Sequence, residues 1–290
     1  MNDSIKESTD FRQYDFGRNW RTFLDIHLTP ERIDEACDSL RRFLNVDTIE
    51  GRTFLDIGCG SGLFSYAAHL LGAEKILSID VNPNSVDCCR TMIERANTPE
   101  NWSVELASVL DSEHFATIDK FDIVYSWGVL HHTGAMWTAI RNAAGRVKPG
   151  GRFYIAIYNR ADGLGIYSDG RAGSSRFWVM EKAVYVRLPE LLQRVVDGAA
   201  ATALVISYLL TLRNPVREIR EHKTLRGMSW MVDIRDWLGG YPYEYASVEE
   251  IFSFVHGELG FELENLKSTN SLMNNEFLFR RPSAATSAST

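Results

Sequence analysis

At 290 residues, 45% of them hydrophobic, the chain is long enough to bury a sizeable core as one enlarged domain or two small ones. A net charge of −7, with no Lys/Arg-rich block to offset it, argues against sequence-independent nucleic-acid binding, which needs a basic surface. Cys37, Cys59, Cys88 and Cys89 show neither Cys-x-x-Cys nor metal spacing, and adjacent Cys88 and Cys89 make a poor disulfide pair, so they read as reduced thiols of a cytoplasmic protein.

Met1 to Asp10 is polar, without the apolar run that a secretory signal needs, and residues 1 to about 12 read as a loose tail. Phe16, Trp20, Phe23 and Leu24 then fall at helical spacing, which predicts an amphipathic helix packed on the core. Thr29-Pro30-Glu31-Arg32 starts a second helix, with Thr29 as N-cap and Pro30 in the first turn. Its apolar stripe is Ile33, Ala36, Cys37, Leu40 and Leu44, and it ends near Asn45.

The first strand begins at Thr53 and breaks at Ile57 into Gly58, Gly60 and Gly62, after which Leu63 to Leu71 has helical periodicity. Three alternate glycines permit a tight turn and expose bare backbone to a ligand, and the helix start near Ser61 adds unpaired N–H groups. A second strand, Lys75 to Asp80, ends on a carboxylate that can take both hydroxyls of a ribose. Asn82-Pro83-Asn84-Ser85 opens a helix to about Ala96, and Trp102 to Ala107 reads as the third strand. Phe121 to Ser126 is the fourth strand, Trp127 to His132 the loop after it, and Lys148-Pro149-Gly150-Gly151 the turn into a fifth strand, Arg152 to Ile157.

This series of motifs resembles class I S-adenosylmethionine (SAM) dependent methyltransferases. The resemblance implies an α/β fold: a seven-stranded, mostly parallel sheet with helices on both faces. It implies SAM as cofactor, with Asp56, Gly58, Gly60 and Gly62 near the methionine part, Asp80 followed by Val81 at the ribose, Ser108 and Val109 facing adenine, and Trp127 along the other side. Ser108 stands where the family often has Asp. The N-terminal segment commonly covers the cofactor in this family, which makes Phe16 and Trp20 candidates to line the site.

Tyr158, Asn159 and Tyr167 stand at or just beyond the carboxyl edge of the fifth strand, where an acceptor or an activating group would lie. His131 and His132 invite a general-base or a metal reading. No third ligand stands at suitable spacing, so no metal is expected, and the simpler reading has one His bonding the backbone and shaping the pocket.

Ser247 and Glu250 form a capping box before a helix from Val248 to about His256, followed by strands Phe261 to Leu266 and Asn275 to Phe279. The intervening stretch is not needed by the sheet. Within it, Arg176 to Val186 and Leu191 to Leu212 read as helices. The nearly uncharged run Gly198 to Leu212 spans roughly 22 Å, short of the about 30 Å of a bilayer core, which favours a buried helix or a self-association surface over membrane contact. Between Lys223 and Tyr245 aromatic residues gather around Gly239-Gly240, as cap glue or as a lid.

The expected organisation is an N-terminal helical cap (1–50), a first core part (51–159), a substrate lid (160–246), the antiparallel end of the core (247–281) and a disordered tail (282–290). The function expected is methyl transfer to a small-molecule acceptor in secondary metabolism. Two alternatives stand beside it: a SAM-consuming cyclase of the azetidine-2-carboxylate synthase type, and a non-catalytic SAM-binding protein. Expected partners are the small substrate and a second copy of the chain through residues 191–212, with no nucleic acid.

Overall fold

The computed structural model describes residues 28–161, 174–226, 230–269 and 273–283. Phe16, Trp20 and Tyr167 therefore lie outside the described residues, as do the expected first helix and most of the tail.

Helix α1 (Pro30–Leu44) starts after Thr29, which is extended but makes no side-chain cap, and closes on left-handed Asn45. It is followed by β1 (Thr53–Ile57), α2 (Leu63–Leu70), β2 (Lys75–Asp80), α3 (Pro83–Arg95), β3 (Trp102–Leu106), α4 (Ser112–Thr117) and β4 (Phe121–Trp127). A short turn of helix at Leu130–His132 leads to α5 (Met136–Gly145) and β5 (Val147–Tyr158). The chain then forms α6 (Ser174–Tyr185), α7 (Glu190–Leu210), α8 (Pro215–Arg226) and α9 (Trp230–Gly239) before α10 (Val248–Phe252), β6 (Glu262–Lys267) and β7 (Asn274–Arg280).

The strands make one 7-stranded sheet in the order β3-β2-β1-β4-β5-β7-β6, parallel except for β7, which runs antiparallel to both β5 and β6. This is the fold expected from the sequence. Alternation along β1 sends Leu55 and Ile57 to a core shared with α5, and Phe54 to a core shared with α1, α2 and α3.

Three local differences have simple causes. Trp127 is the last strand residue rather than the first loop residue, because it still pairs with Ala156. The fifth strand begins at Val147: the register jumps from Phe121 opposite Val147 to Ile123 opposite Arg152, so Lys148 to Gly151 bulge out of a continuing strand. The capping box of α10 is present, but its last turns widen into a π-helical segment, Ser253–Glu258.

The segment between β5 and α10 carries two helices beyond those expected, α8 and α9. It has a small core of its own in Tyr185, Trp230, Ile234 and Leu238. Asp197 of α7 is buried and fastens three helices: it accepts from Tyr185 Oη of α6 at 2.5 Å and from Arg235 Nε of α9 at 2.8 Å. Helix α7 is not the buried helix the sequence suggested. Asp197 is its buried residue, while Leu191, Ile206, Leu209 and Leu210 are exposed on its outer side. The cap is too small to wrap a helix of this length, so one face packs inward and the other meets solvent. Among the described residues no helix is long and apolar enough to cross a membrane.

Candidate active site

A cavity of about 1340 Å³ lies at the carboxyl ends of β1, β2, β4 and β5. That is where open α/β sheets bind ligands, because loops leaving neighbouring strands diverge there. Its floor is the sheet edge and its roof is α6, α7 and α9.

The turn after β1 supplies bare backbone to this floor. Gly58 has φ of +74°, and a Cβ placed there would come within 2.4 Å of the Val129 side chain. No other residue fits that left-handed position under that neighbour. The N–H groups of Gly58 and Cys59 donate to the Ile79 carbonyl at 2.8 and 3.0 Å, tying the turn to the end of β2. Gly62, φ +81°, caps α2 against Cys89.

Asp80 connects the two loops. Its Oδ2 accepts from Gly60 N–H at 3.0 Å and its Oδ1 from Asn82 N–H at 2.8 Å. Burial raises its pKa, partly countered by those backbone donors. A carboxylate has about four acceptor sites, so one backbone bond on each oxygen leaves capacity for the vicinal hydroxyls of a ribose. Val81 beyond it is half exposed on the cavity wall.

Asp56 is buried beneath the glycine turn. It accepts from Ser65 Oγ at 2.6 Å, and Ser65 Oγ lies 2.7 Å from Ser78 Oγ, which in turn accepts from Trp102 Nε1 at 2.9 Å. Burial, with the Asp80 charge adding, pushes Asp56 up to about 7 against the Ser65 bond. On the β3 side, Ser108 Oγ accepts from Leu110 N–H at 3.2 Å, Val109 is buried, and both line the cavity. Trp127, 44% exposed, stands on the opposite wall.

The loop after β4 separates the two histidines. His131 has 0% exposure and does not reach the cavity wall; its Nδ1 accepts from Tyr158 N–H at 3.3 Å. Burial, reinforced by neighbouring His132, holds its pKa well below the usual imidazole value, so it is neutral. His132 does line the cavity. Its Nδ1 lies 2.6 Å from the Pro242 carbonyl, which can only accept, so Nδ1 carries the proton and Nε2 the lone pair. Burial, with the Lys182 charge adding, holds His132 down to about 4.

Tyr158 lines the cavity beside His132, ring centroids 5.5 Å apart and perpendicular. Asn159 is directed elsewhere: its Oδ1 accepts from Asn275 Nδ2 and its Nδ2 donates to the Thr269 carbonyl, each at 2.9 Å. That amide ties β5 to β7. The structure thus gathers Asp56, Gly58, Gly60, Asp80, Val81, Ser108, Val109, Trp127 and Tyr158 at one cavity and leaves Gly62, Asn159 and His131 behind its walls.

The sequence pointed to the cap only as lid or glue, and singled out Trp230 and Trp237 but not Trp178, Tyr208, Asp233 or Asn274. Trp178, Tyr208, Trp230, Asp233 and Trp237 line the roof, and Asn274 enters from β7. The signal available was the aromatic cluster around Gly239-Gly240, which marks a roof but gives no geometry. Among the described residues no group of three or more His, Cys, Asp or Glu could hold a metal ion.

A family described as "Methyltransferase domain" matches residues 49–195. Ubiquinone biosynthesis O-methyltransferase of Methylobacterium sp. (strain 4-46) is 32% identical over 129 residues, covering 44% of this chain and 49% of that protein. The chain thus spans about half the length of the curated relatives it matches. Among solved structures, an O-methyltransferase family protein from Burkholderia thailandensis aligns with a TM-score of 0.50 at 17% identity, over 92% of this chain and 60% of that one. Magnesium protoporphyrin IX methyltransferase from Synechocystis PCC 6803, with bound SAH, gives a TM-score of 0.50 at 13% identity over 91% and 93%. At such identities these two structures speak for the fold.

Proposed function

The chain belongs to the methyltransferase-domain family, class I and SAM-dependent, and from that premise we propose that it methylates a hydroxyl group of a small-molecule acceptor held between the sheet edge and the helical cap, in secondary metabolism. The observation that carries this reading is His132. It lies at the junction of floor and roof with its lone pair fixed on Nε2, where it can take the proton of an acceptor hydroxyl.

The floor suits the cofactor. Bare backbone at Gly58 and Gly60 would receive the methionine end beside Asp56, Asp80 the ribose, and Ser108 with Val109 the adenine, Trp127 lying along the other side. When bound, SAM supplies an electrophilic methyl group with its leaving group attached. The protein's own part is to align the acceptor oxygen, hold its released proton on His132 and exclude water under the cap. The names of the curated relatives agree with an oxygen acceptor, and the exposed outer side of α7 supports self-association through residues 191–212.

The volume weighs against the cyclase reading. Pockets for a single small ligand run to about 1,000 Å³, and about 1340 Å³ leaves room for a second molecule beside the cofactor. The test is to incubate purified protein with SAM, alone and with a panel of hydroxylated aromatic compounds, and identify the products by chromatography and mass spectrometry. S-adenosylhomocysteine and a methylated product, formed only with an acceptor, support the reading. Methylthioadenosine with a cyclic amino acid, formed from SAM alone, would replace it with the cyclase.

A further inference from the structure

The turn between α7 and α8 holds apolar side chains out in solvent. Helix α7 stops there on two backbone bonds: the Leu212 N–H donates to the Leu209 carbonyl at 3.1 Å and the Arg213 N–H to the Tyr208 carbonyl at 2.8 Å, with Leu212 left-handed at φ +58°. Glycine suits that position best, because a Cβ is disfavoured there. The chain instead has a large side chain that is 96% exposed, so folding gains nothing from its burial. Asn214 then caps α8, its Oδ1 accepting from the Val216 and Arg217 N–H groups at 3.0 and 3.3 Å, which fixes the corner on both sides.

Leu212 does not stand alone. Leu210 is 79% exposed, Val216 66% and Leu209 57%, and exposed Arg213, Arg217 and Arg220 alternate with them along the chain. Glu218 lies 3.9 Å from Arg213, a solvent-facing pair of little strength. Between Ser174 and Arg226 there are nine Lys and Arg against five Asp and Glu, a local excess of four positive charges in a chain of net charge −7. Apolar side chains among arginines, on an otherwise acidic protein, match the surface of an anionic bilayer, which takes leucines into its acyl boundary and guanidiniums at its phosphates. A second copy of the chain fits this corner less well. A two-fold contact here would set its arginines against their own counterparts, so self-association is left to the uncharged stretch of α7 before it, from Gly198 to Ser207.

We infer that the corner formed by Leu209, Leu210, Leu212 and Val216 with Arg213, Arg217 and Arg220 is a docking site for an anionic lipid surface. No helix among the described residues is long and apolar enough to cross a bilayer, so the contact is interfacial. Docking there sets α7 against the lipid, and Ala203, Ser207 and Tyr208 of that helix line the cavity. The inference goes beyond the methyltransferase reading and does not depend on it.

The test is co-sedimentation of the full chain with vesicles of phosphatidylcholine alone and of an equal mixture of phosphatidylcholine and phosphatidylglycerol, at low and at physiological salt. Binding to the mixed vesicles is expected to be about tenfold or more tighter than to the neutral ones, and to weaken as salt is added. Leu212→Asn separates docking from folding, because asparagine tolerates the left-handed conformation: thermal stability should match or exceed that of wild type while vesicle affinity falls several-fold. Replacing Arg213, Arg217 and Arg220 together by Gln should abolish the preference for anionic vesicles. Wild type that binds neither vesicle, or both equally, overturns the inference, as does undiminished binding by Leu212→Asn or a preference that survives the Gln substitutions. A dimer in analytical ultracentrifugation that Leu212→Asn dissolves, with no vesicle binding, would assign the corner to a second copy instead.

Discussion

The imidazole of His132 and the carbonyl of Pro242, 110 positions apart in sequence, are joined by a 2.6 Å Nδ1–H···O bond. This bond fixes the tautomer and clips the loop after β4 to the segment that descends from the cap. Removing a positioned general base costs about 10²- to 10⁴-fold in rate. His132→Gln is therefore expected to lose that much in kcat while SAM affinity, proposed to rest on the glycine turn and Asp80, stays within about twofold, since distant sites act independently. Steady-state kinetics with a calorimetric titration reads both, and an unaltered kcat would remove His132 from the chemistry.

The same residue makes stability depend on pH. Folding lowers the His132 pKa from 6.5 to about 4, so between those values the unfolded chain binds more protons than the folded one. Stability is thus lost as pH falls through that window, by up to about 3 kcal/mol from this one ring. Asp56, raised from 3.8 to about 7, acts in the opposite direction, because its protonated form is favoured by the fold and its contribution is lost as pH rises. Urea unfolding of wild type and His132→Gln at a series of pH values isolates the histidine term by difference. Parallel stability curves for the two proteins would show that the ring titrates normally.

Asp80 receives the N–H groups of Gly60 and Asn82, one on each oxygen, which makes it a loop anchor and, in the proposed reading, leaves it able to accept from a ribose. Asp80→Ala should weaken SAM binding by about 1 to 3 kcal/mol through lost charged hydrogen bonds. Asp80→Asn keeps one acceptor but turns an N–H₂ toward a backbone donor, so it should not restore wild-type affinity. Wild-type affinity in either variant, measured calorimetrically, would refute the placement of the cofactor on this floor.

Much of this was legible in the sequence for physical reasons. Strands β1, β2 and β4 are largely apolar and almost wholly buried because both faces of a parallel strand are covered, and glycine is forced at position 58, where Val129 closes over the turn. Asp80 ends its strand and Asp56 stands one residue before the end of its own, so their place at the sheet edge followed from the strand ends themselves. What adjacency in sequence could not separate was His131 from His132. The short helical turn at Leu130–His132 sends one ring into the core and the other to the cavity. The cap was legible only as helices. Which of its aromatic residues form the roof depends on how α6, α7 and α9 cross, and that is decided by contacts such as Asp197 with Tyr185 and Arg235 rather than by periodicity.

Those contacts give the last prediction. Asp197 is 2% exposed and is neutralised by Arg235, whose side chain is 46% exposed. Arg235→Met leaves Asp197 buried with the Tyr185 hydroxyl as its remaining donor from this triad. Breaking a fully buried pair costs about 3 to 5 kcal/mol, and solvent around Arg235 reduces this to roughly 1 to 3 kcal/mol. The loss should fall on the cap, which has its own core in Tyr185, Trp230, Ile234 and Leu238, and leave the sheet intact. Amide hydrogen exchange in the variant is expected to speed up across α6, α7 and α9 while the strands keep their protection, with kcat/KM for the acceptor falling more than SAM affinity. Uniform acceleration through the strands would mean that cap and sheet unfold as one unit, and the roof could not then act as a separately mobile cover.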